Sequence, residues 1–253
     1  LLLAIVQTNP QFASVDSNVR AALAPMEKAQ ADFYVLPELF NTGYNFTEMA
    51  EVEKLAEPAE GTTCKAMMEF SRRNSCYVVY GFAEKSNRLY NSSALVGPDG
   101  LIGVYRKVHL YYRENLFFAP GNLGFPIFDL PIGRVGMMIC FDWFYPESAR
   151  TLALRGAQLI AHPSNLVMPH CPDAMVTRCL ENRVFAATSN RIGREHRGNT
   201  DLSFIGKSEI VSPRGEILKR LPESEEGIAV VDVNLSQASS KRLNEFNDLL
   251  GGR

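Results

Sequence analysis

Three polar residues stand just past the ends of apolar, strand-like runs, and together they are the types that nucleophilic attack on a carbonyl-like carbon requires. Cys140 closes the run Val135-Gly-Met-Met-Ile-Cys140, and a helix is predicted to open six residues later at Pro146. A thiol at such a turn is exposed, backbone N–H groups beside it can bind an oxyanion, and a helix N-terminus favours the thiolate. Glu38 follows Phe33-Tyr-Val-Leu-Pro37, and Lys107 follows Leu101-Ile-Gly-Val-Tyr-Arg106. A thiol needs a base, and a carboxylate serves once burial or neighbours raise its pKa. A tetrahedral oxyanion needs positive charge, which a fixed lysine supplies. Taken singly, each has a plain structural reading: a small core cysteine, a surface carboxylate, a solvated lysine. Only as a set, at strand ends of one layered protein, do they read as a site.

The elements that must position them alternate from end to end. Strands are predicted at Leu1 to Gln7, Phe33 to Leu36, Tyr77 to Phe82, Val135 to Cys140 and Leu159 to Ala161. Helices are predicted from Asp16 or Ser17 to about Gln30, Cys64 to Asn74, Pro146 to about Arg155 and Ala174 to Phe185. Capping residues, Pro at a first helical position and Gly156 as a stop set several of these bounds. This order is that of a layered α/β protein. Ser93 to Ile102 and Ser208 to Ile217 also resemble each other, each placing Pro-x-Gly (Pro98 to Gly100, Pro213 to Gly215) between strand-like runs. Both read as hairpins, which points to two similar halves facing each other within one domain over 1–253.

Composition narrows the partners. The 253 residues carry 46% hydrophobic and 21% charged residues and a formal net charge of −2. Such a chain buries a core and is not disordered. Near-neutral charge leaves no footprint for nucleic acid, and no apolar run approaches the ~20 residues of a membrane helix. The opening LLLAIV has no basic flank or cleavage signal, and the absence of an initial Met leads us to expect a native start further upstream. Five cysteines, an odd number without framework spacing, point to reduced thiols and a cytoplasmic setting. The glycosylation-like triplets at Asn45 and Asn91 then read as chance matches.

Three motifs resemble the nitrilase, or carbon–nitrogen hydrolase, superfamily: Leu36-Pro-Glu38-Leu-Phe-Asn-Thr-Gly-Tyr44, Tyr105-Arg-Lys107-Val-His-Leu110, and Gly136-Met-Met-Ile-Cys140-Phe-Asp-Trp-Phe-Tyr-Pro-Glu147. The resemblance extends over essentially the whole chain, with the motifs in the family's order and spacing. It implies a four-layer α-β-β-α sandwich, a homodimer or higher homo-oligomer, and no metal or other cofactor. It also implies a Glu38–Lys107–Cys140 triad, with Glu114 as a second active-site glutamate that positions substrate near the lysine. Tyr44, Phe141 and Trp143 would line the pocket, the Phe141 N–H would sit in the oxyanion hole, and Asn165 would face substrate.

The implied reaction is attack by Cys140 on an amide carbon, with Glu38 moving the protons and a thioester as intermediate. The aromatic run Tyr111, Tyr112, Phe117, Phe118, with Trp143 and Tyr145, points to a snug apolar mouth and so to small linear amides. Small nitriles, dinitriles and N-carbamoyl amines are the alternatives. Other readings weigh less. His109 could pair with Cys140 in a Cys-His hydrolase, but Glu38 and Lys107 would lose their roles. His162, His170, Cys171 and Cys179 have no compact zinc spacing. Gly206-Lys207-Ser208 lacks the leading Gly of a phosphate loop, since Asp201 stands there. Arg178, Glu181 and Asn182 read as a helix face that could brace the site or an interface. A non-enzymatic interaction protein on the same fold is the alternative of a different class.

Overall fold

The computed structural model describes residues 1–252. Its strands are β1 (Leu2–Gln7), β2 (Phe33–Val35), β3 (Tyr77–Lys85), β4 (Leu89–Gly97), β5 (Gly100–Arg106), β6 (Ile127–Leu130), β7 (Gly133–Met137), β8 (Leu159–Pro163), β9 (Phe185–Ser189), β10 (Arg194–Arg197), β11 (Thr200–Ser203), β12 (Glu209–Val211), β13 (Ile217–Arg220) and β14 (Gly227–Asp232). The helices are α1 (Val15–Met26), α2 (Met49–Leu55), α3 (Thr62–Asn74), α4 (Glu114–Phe117), α5 (Pro146–Leu154) and α6 (Cys171–Asn182). Among the described residues, no helix is long and apolar enough to cross a membrane.

Two six-stranded sheets form the centre, ordered β14-β1-β2-β3-β4-β5 and β13-β12-β9-β8-β7-β6. They share one plan. From β1 to β5 the pairings run parallel, parallel, antiparallel, antiparallel, and β7, β8, β9, β12, β13 repeat that sequence. A sixth strand is added antiparallel to each, β14 on β1 and β6 on β7. The two Pro-x-Gly turns occupy equivalent places, joining β4 to β5 and β12 to β13.

Period-two patterning decides which face goes where. On β1, Leu3 and Ile5 enter the core that also holds Met137, Leu159 and Ile160 of the second sheet. Ala4 and Val6 face the other way, toward Val19, Ala22 and Met26 of α1 and Met67 and Phe70 of α3. Tyr34 lies with the helices while Phe33 and Val35 lie between the sheets. Ala149, Leu152, Met175 and Cys179 of α5 and α6 cover the second sheet. The result is the four-layer α-β-β-α sandwich.

Two helix bounds differ from the pattern-based ones. The last long helix covers Cys171–Asn182 instead of 174–185: Pro172 sits in its first turn, and Arg183 turns left-handed at φ +50° to end it. Phe185 is thereby free to pair with Leu159 on β8. α1 stops at Met26, where Lys28 and Ala29 N–H groups fold back onto the Pro25 and Met26 carbonyls.

Candidate active site

The strand ends converge between the sheets. Beyond β2 the chain keeps pairing with β3, Leu36 N donating to Val79 O at 2.8 Å and Gly81 N to Pro37 O at 3.1 Å. Gly81 is required there, because a Cβ would lie 2.5 Å from the Glu38 Cα. Leu39 then turns left-handed at φ +47°, reversing the chain and leaving Glu38 pointing inward. Lys107 is held beyond β5 by its own N–H on Asn91 O and by Gly121 N on its carbonyl, both at 2.8 Å. A Cβ on Gly121 would overlap the Arg106 carbonyl at 2.0 Å, so this second clamp also depends on glycine.

Glu38 and Lys107 are fully buried, and Glu114 nearly so. Lys107 Nζ donates to Glu38 Oε1 and to Glu114 Oε1, each at 2.7 Å. Asn91 Nδ2 also donates to Glu38 Oε1 at 2.7 Å, whereas buried Glu38 Oε2 has no partner. Glu114 is fixed in turn by the Tyr44 hydroxyl at 2.6 Å on Oε1 and by Tyr111 N at 3.3 Å on Oε2.

Burial dominates the electrostatics and lifts the Glu38 carboxyl to about 7; Lys107 pulls it down and Glu114 pushes it up. For Lys107 burial works against the ammonium, yet Glu114 and Glu38 outweigh it and hold its pKa above the ordinary lysine value. Cys140 is almost wholly buried, and desolvation pushes its thiol well above the usual range, reinforced by Glu38 and opposed by Lys107. The resting sulfur is therefore a thiol. A helix N-terminus was expected to favour the thiolate, but α5 starts six residues on and burial outweighs it.

The cysteine elbow is strained and braced. Cys140 has φ +38° at the head of a 3-10 turn over Cys140–Phe144. Asp142, fully buried, gathers four donors: Ile139 N at 2.9 Å, Tyr105 hydroxyl at 2.7 Å, His109 N at 3.1 Å and the His109 Nδ1 at 2.7 Å. Tyr105 and His109 flank Lys107 in the chain, so this one carboxylate ties the lysine segment of one sheet to the cysteine elbow of the other. His109 is thus committed to Asp142 and stacks on Tyr145 at 3.7 Å, which leaves Cys140 without a histidine base. The strand that would have turned His109 and Lys107 to one face ends at Arg106.

Cys140, Tyr111, Phe141, Trp143 and Asn165 line one cleft of about 230 Å³, with Met168 at its side. The Asn165 N–H acts on the Cys140 sulfur, and neither polar atom of its buried side chain has a partner. Tyr44 and Glu114 face a neighbouring cavity of about 350 Å³ that also contains Tyr111, Tyr112, Phe117 and Phe118. The aromatic run therefore divides between two spaces, and Tyr145 serves as a stacking partner for His109. Arg178 braces the elbow by donating to Trp143 O at 3.4 Å while holding Glu181 at 3.1 Å.

Pattern alone missed Asn91 and Asp142. Asn91 is marked only by a glycosylation-like triplet, yet its amide is buried on Glu38, and Asn45 is likewise buried, its amide on Glu195 O and Thr200 O. Asp142, two residues from Cys140, offered a signal in its position, although its partners Tyr105 and His109 lie 37 and 33 residues away.

Residues 2–243 match the family model described as carbon-nitrogen hydrolase. A nitrilase from Pyrococcus abyssi is 50% identical over 256 residues, covering 99% of this chain and 96% of the relative. An (R)-stereoselective amidase from a Pseudomonas species is 36% identical, covering 83% of this chain and 76% of the relative. Among solved structures, a double mutant of the amidase from Nesterenkonia sp. AN1 in complex with acrylamide superposes with a TM-score of 0.80 at 25% identity, covering 97% of this chain and 95% of that one. On the family match and these likenesses, the chain belongs to the carbon–nitrogen hydrolases of the nitrilase superfamily and is a hydrolase acting on small carbon–nitrogen-bonded substrates.

Proposed function

We propose that the protein hydrolyses small linear amides to carboxylate and ammonia through a thioester on Cys140. The observation that carries this reading is Glu38: one oxygen is tied to Lys107 and Asn91, the other is buried and unpartnered, and the carboxyl titrates near 7 beside a protonated thiol. Glu38 Oε2 takes the thiol proton as the sulfur bonds to the amide carbon. The Lys107 ammonium and the Phe141 N–H hold the developing oxyanion. Collapse breaks the C–N bond, and the proton on Glu38 passes to the departing nitrogen as ammonia. A water then gives a proton to Glu38 and attacks the thioester, and expulsion of the sulfur with reprotonation restores the thiol.

Glu114 keeps Lys107 charged and directed, Tyr44 fixes Glu114, and Asn165 offers its unpaired amide to the substrate. The narrow cleft at Cys140, walled by Phe141, Trp143 and Met168, supports a small linear acyl group. Glu38, Lys107 and Cys140 come from both sheets, so neither half holds a complete site, which supports one catalytic domain over 1–253. Five unpaired cysteines support a cytoplasmic setting. Exposed Phe144, Leu154 and Leu180 near α5 and α6 support pairing of two copies.

A nitrile is the second reading, favoured by the 50% identical relative named a nitrilase. Thiol addition to a nitrile gives a thioimidate, and water addition brings it to the tetrahedral species that an amide reaches directly. Ammonia release from a panel of small amides, ω-amides, N-carbamoyl amines and dinitriles tests the assignment. Turnover of short amides is the expected result. Turnover of nitriles alone would replace the amide reading, and no release from any member would overturn both.

A further inference from the structure

His162 lies on β8, fully buried and outside the cleft that Cys140 lines. Its Nε2 is 2.9 Å from the Cys140 carbonyl oxygen and its Nδ1 is 3.0 Å from Thr188 Oγ1. A carbonyl oxygen only accepts, so Nε2 bears the hydrogen and Nδ1 accepts from the Thr188 hydroxyl. Burial drives the imidazole pKa down to about 4, which keeps the ring neutral and this tautomer in place.

The bond reaches further than the carbonyl. The Cys140 C=O and the Phe141 N–H belong to one planar peptide group, and no cis peptide occurs among the described residues. The C=O and N–H bonds of a trans peptide therefore point in opposite directions, and tying down the oxygen sets where the N–H aims. Cys140 sits at φ +38° at the head of the 3-10 turn, and the His162 donor on the neighbouring strand adds a rigid side-chain anchor to the peptide plane that follows it.

Building on the catalytic reading above, we propose that His162 is a positioning residue: by anchoring the Cys140 carbonyl it aims the Phe141 N–H at the oxyanion formed during acylation. Oxyanion donors act through fixed direction, so releasing this peptide plane lowers the rate of the chemical step and leaves ground-state binding alone. Alkylation of the same sulfur by iodoacetamide, a displacement at saturated carbon, forms no oxyanion and does not use this donor.

The test compares wild type, His162→Leu, His162→Asn and His162→Gln. The readouts are kcat and KM on the best small substrate of the panel, and the rate of Cys140 alkylation by intact mass. His162→Leu is expected to lose about 100-fold in kcat, the scale of a lost oxyanion donor, with KM and alkylation rate within about threefold of wild type. His162→Gln, whose amide reaches the Nε2 position, is expected to recover at least about tenfold of that loss. Should the leucine variant not fold, His162→Asn keeps the group facing Thr188, withdraws the Nε2 donor, and is judged by the same criteria. A kcat near that of wild type in the donor-less variant overturns the proposal. So does a parallel fall of kcat and alkylation, which would make His162 a support of the nucleophile itself, and so does failure of the glutamine to rescue. Absence of wild-type turnover overturns the catalytic reading, and this proposal with it.

Discussion

Lys107 Nζ donates to Glu38 Oε1 at 2.7 Å with both side chains fully buried, so a carboxyl group and an ammonium share one buried pocket beside the Cys140 thiol. The ion pair does not lower the glutamate below its ordinary range; burial and Glu114 win, and the group titrates near 7. An acid that titrates near neutrality can take a proton from a thiol and return it to a leaving amine.

The pH dependence follows from that value. Only the carboxylate form of Glu38 accepts the thiol proton, so kcat/KM is expected to rise with pH through about 7 and then level. A profile of kcat/KM from pH 5 to 9 checks this, and a rate that holds constant down to pH 5 would contradict it.

The same burial sets a stability trade-off. The folded-state pKa of Glu38 lies above its unfolded value, so the folded state binds more protons and loses stability as pH rises from about 4.5 through about 7. Glu38→Gln removes the buried charge while its Oε1 still accepts from Lys107 and Asn91. It is expected to be inactive, and its stability is expected to fall less than that of the wild type between pH 4 and pH 8, because the group that titrates across that window is gone. Denaturant unfolding at the two pH values measures it; a variant that loses as much stability as the wild type over that range would argue against the buried titration of Glu38.

Asp142 joins the two sheets at the site. Asp142→Ala leaves the Ile139 N–H and the Tyr105 hydroxyl buried without their acceptor and frees the half-buried His109. A destabilisation of about 3 kcal/mol or more is expected, with loss of most activity even where the variant is folded. Unfolding midpoints and ammonia release on the same sample report both; unchanged activity would show that the brace is dispensable.

Glu195 supports the site from behind. Its carboxylate pairs with buried Arg191 and accepts the Asn45 N–H at 2.6 Å and the Tyr44 N–H at 3.2 Å, and Tyr44 in turn fixes Glu114. Glu195→Ala strands a buried guanidinium and is expected to cost about 3–5 kcal/mol. A thermal or denaturant melt within 1 kcal/mol of wild type would contradict this.

Much of this arrangement was legible in the chain. Period-two apolar runs located the strands that deliver Glu38, Lys107 and Cys140, and two Pro-x-Gly turns marked equivalent hairpins in the two sheets. Local pattern has no access to contacts made across the fold. Asn91 reaches Glu38 from 53 residues away and Tyr105 reaches Asp142 from 37. The helix terminus that pattern set beside Cys140 proves weaker than the desolvation of the thiol, which comes from surroundings that adjacent residues do not reveal. The last long helix ends at Asn182 because Arg183 adopts a left-handed conformation that its residue type does not announce.

The proposed chemistry depends above all on Cys140 as the nucleophile. Ammonia release by Cys140→Ala, measured beside wild type on a substrate the wild type turns over, tests it most directly. Release is expected to fall to the uncatalysed background while the variant melts cooperatively like the wild type. Release at the wild-type rate from folded Cys140→Ala protein would contradict it.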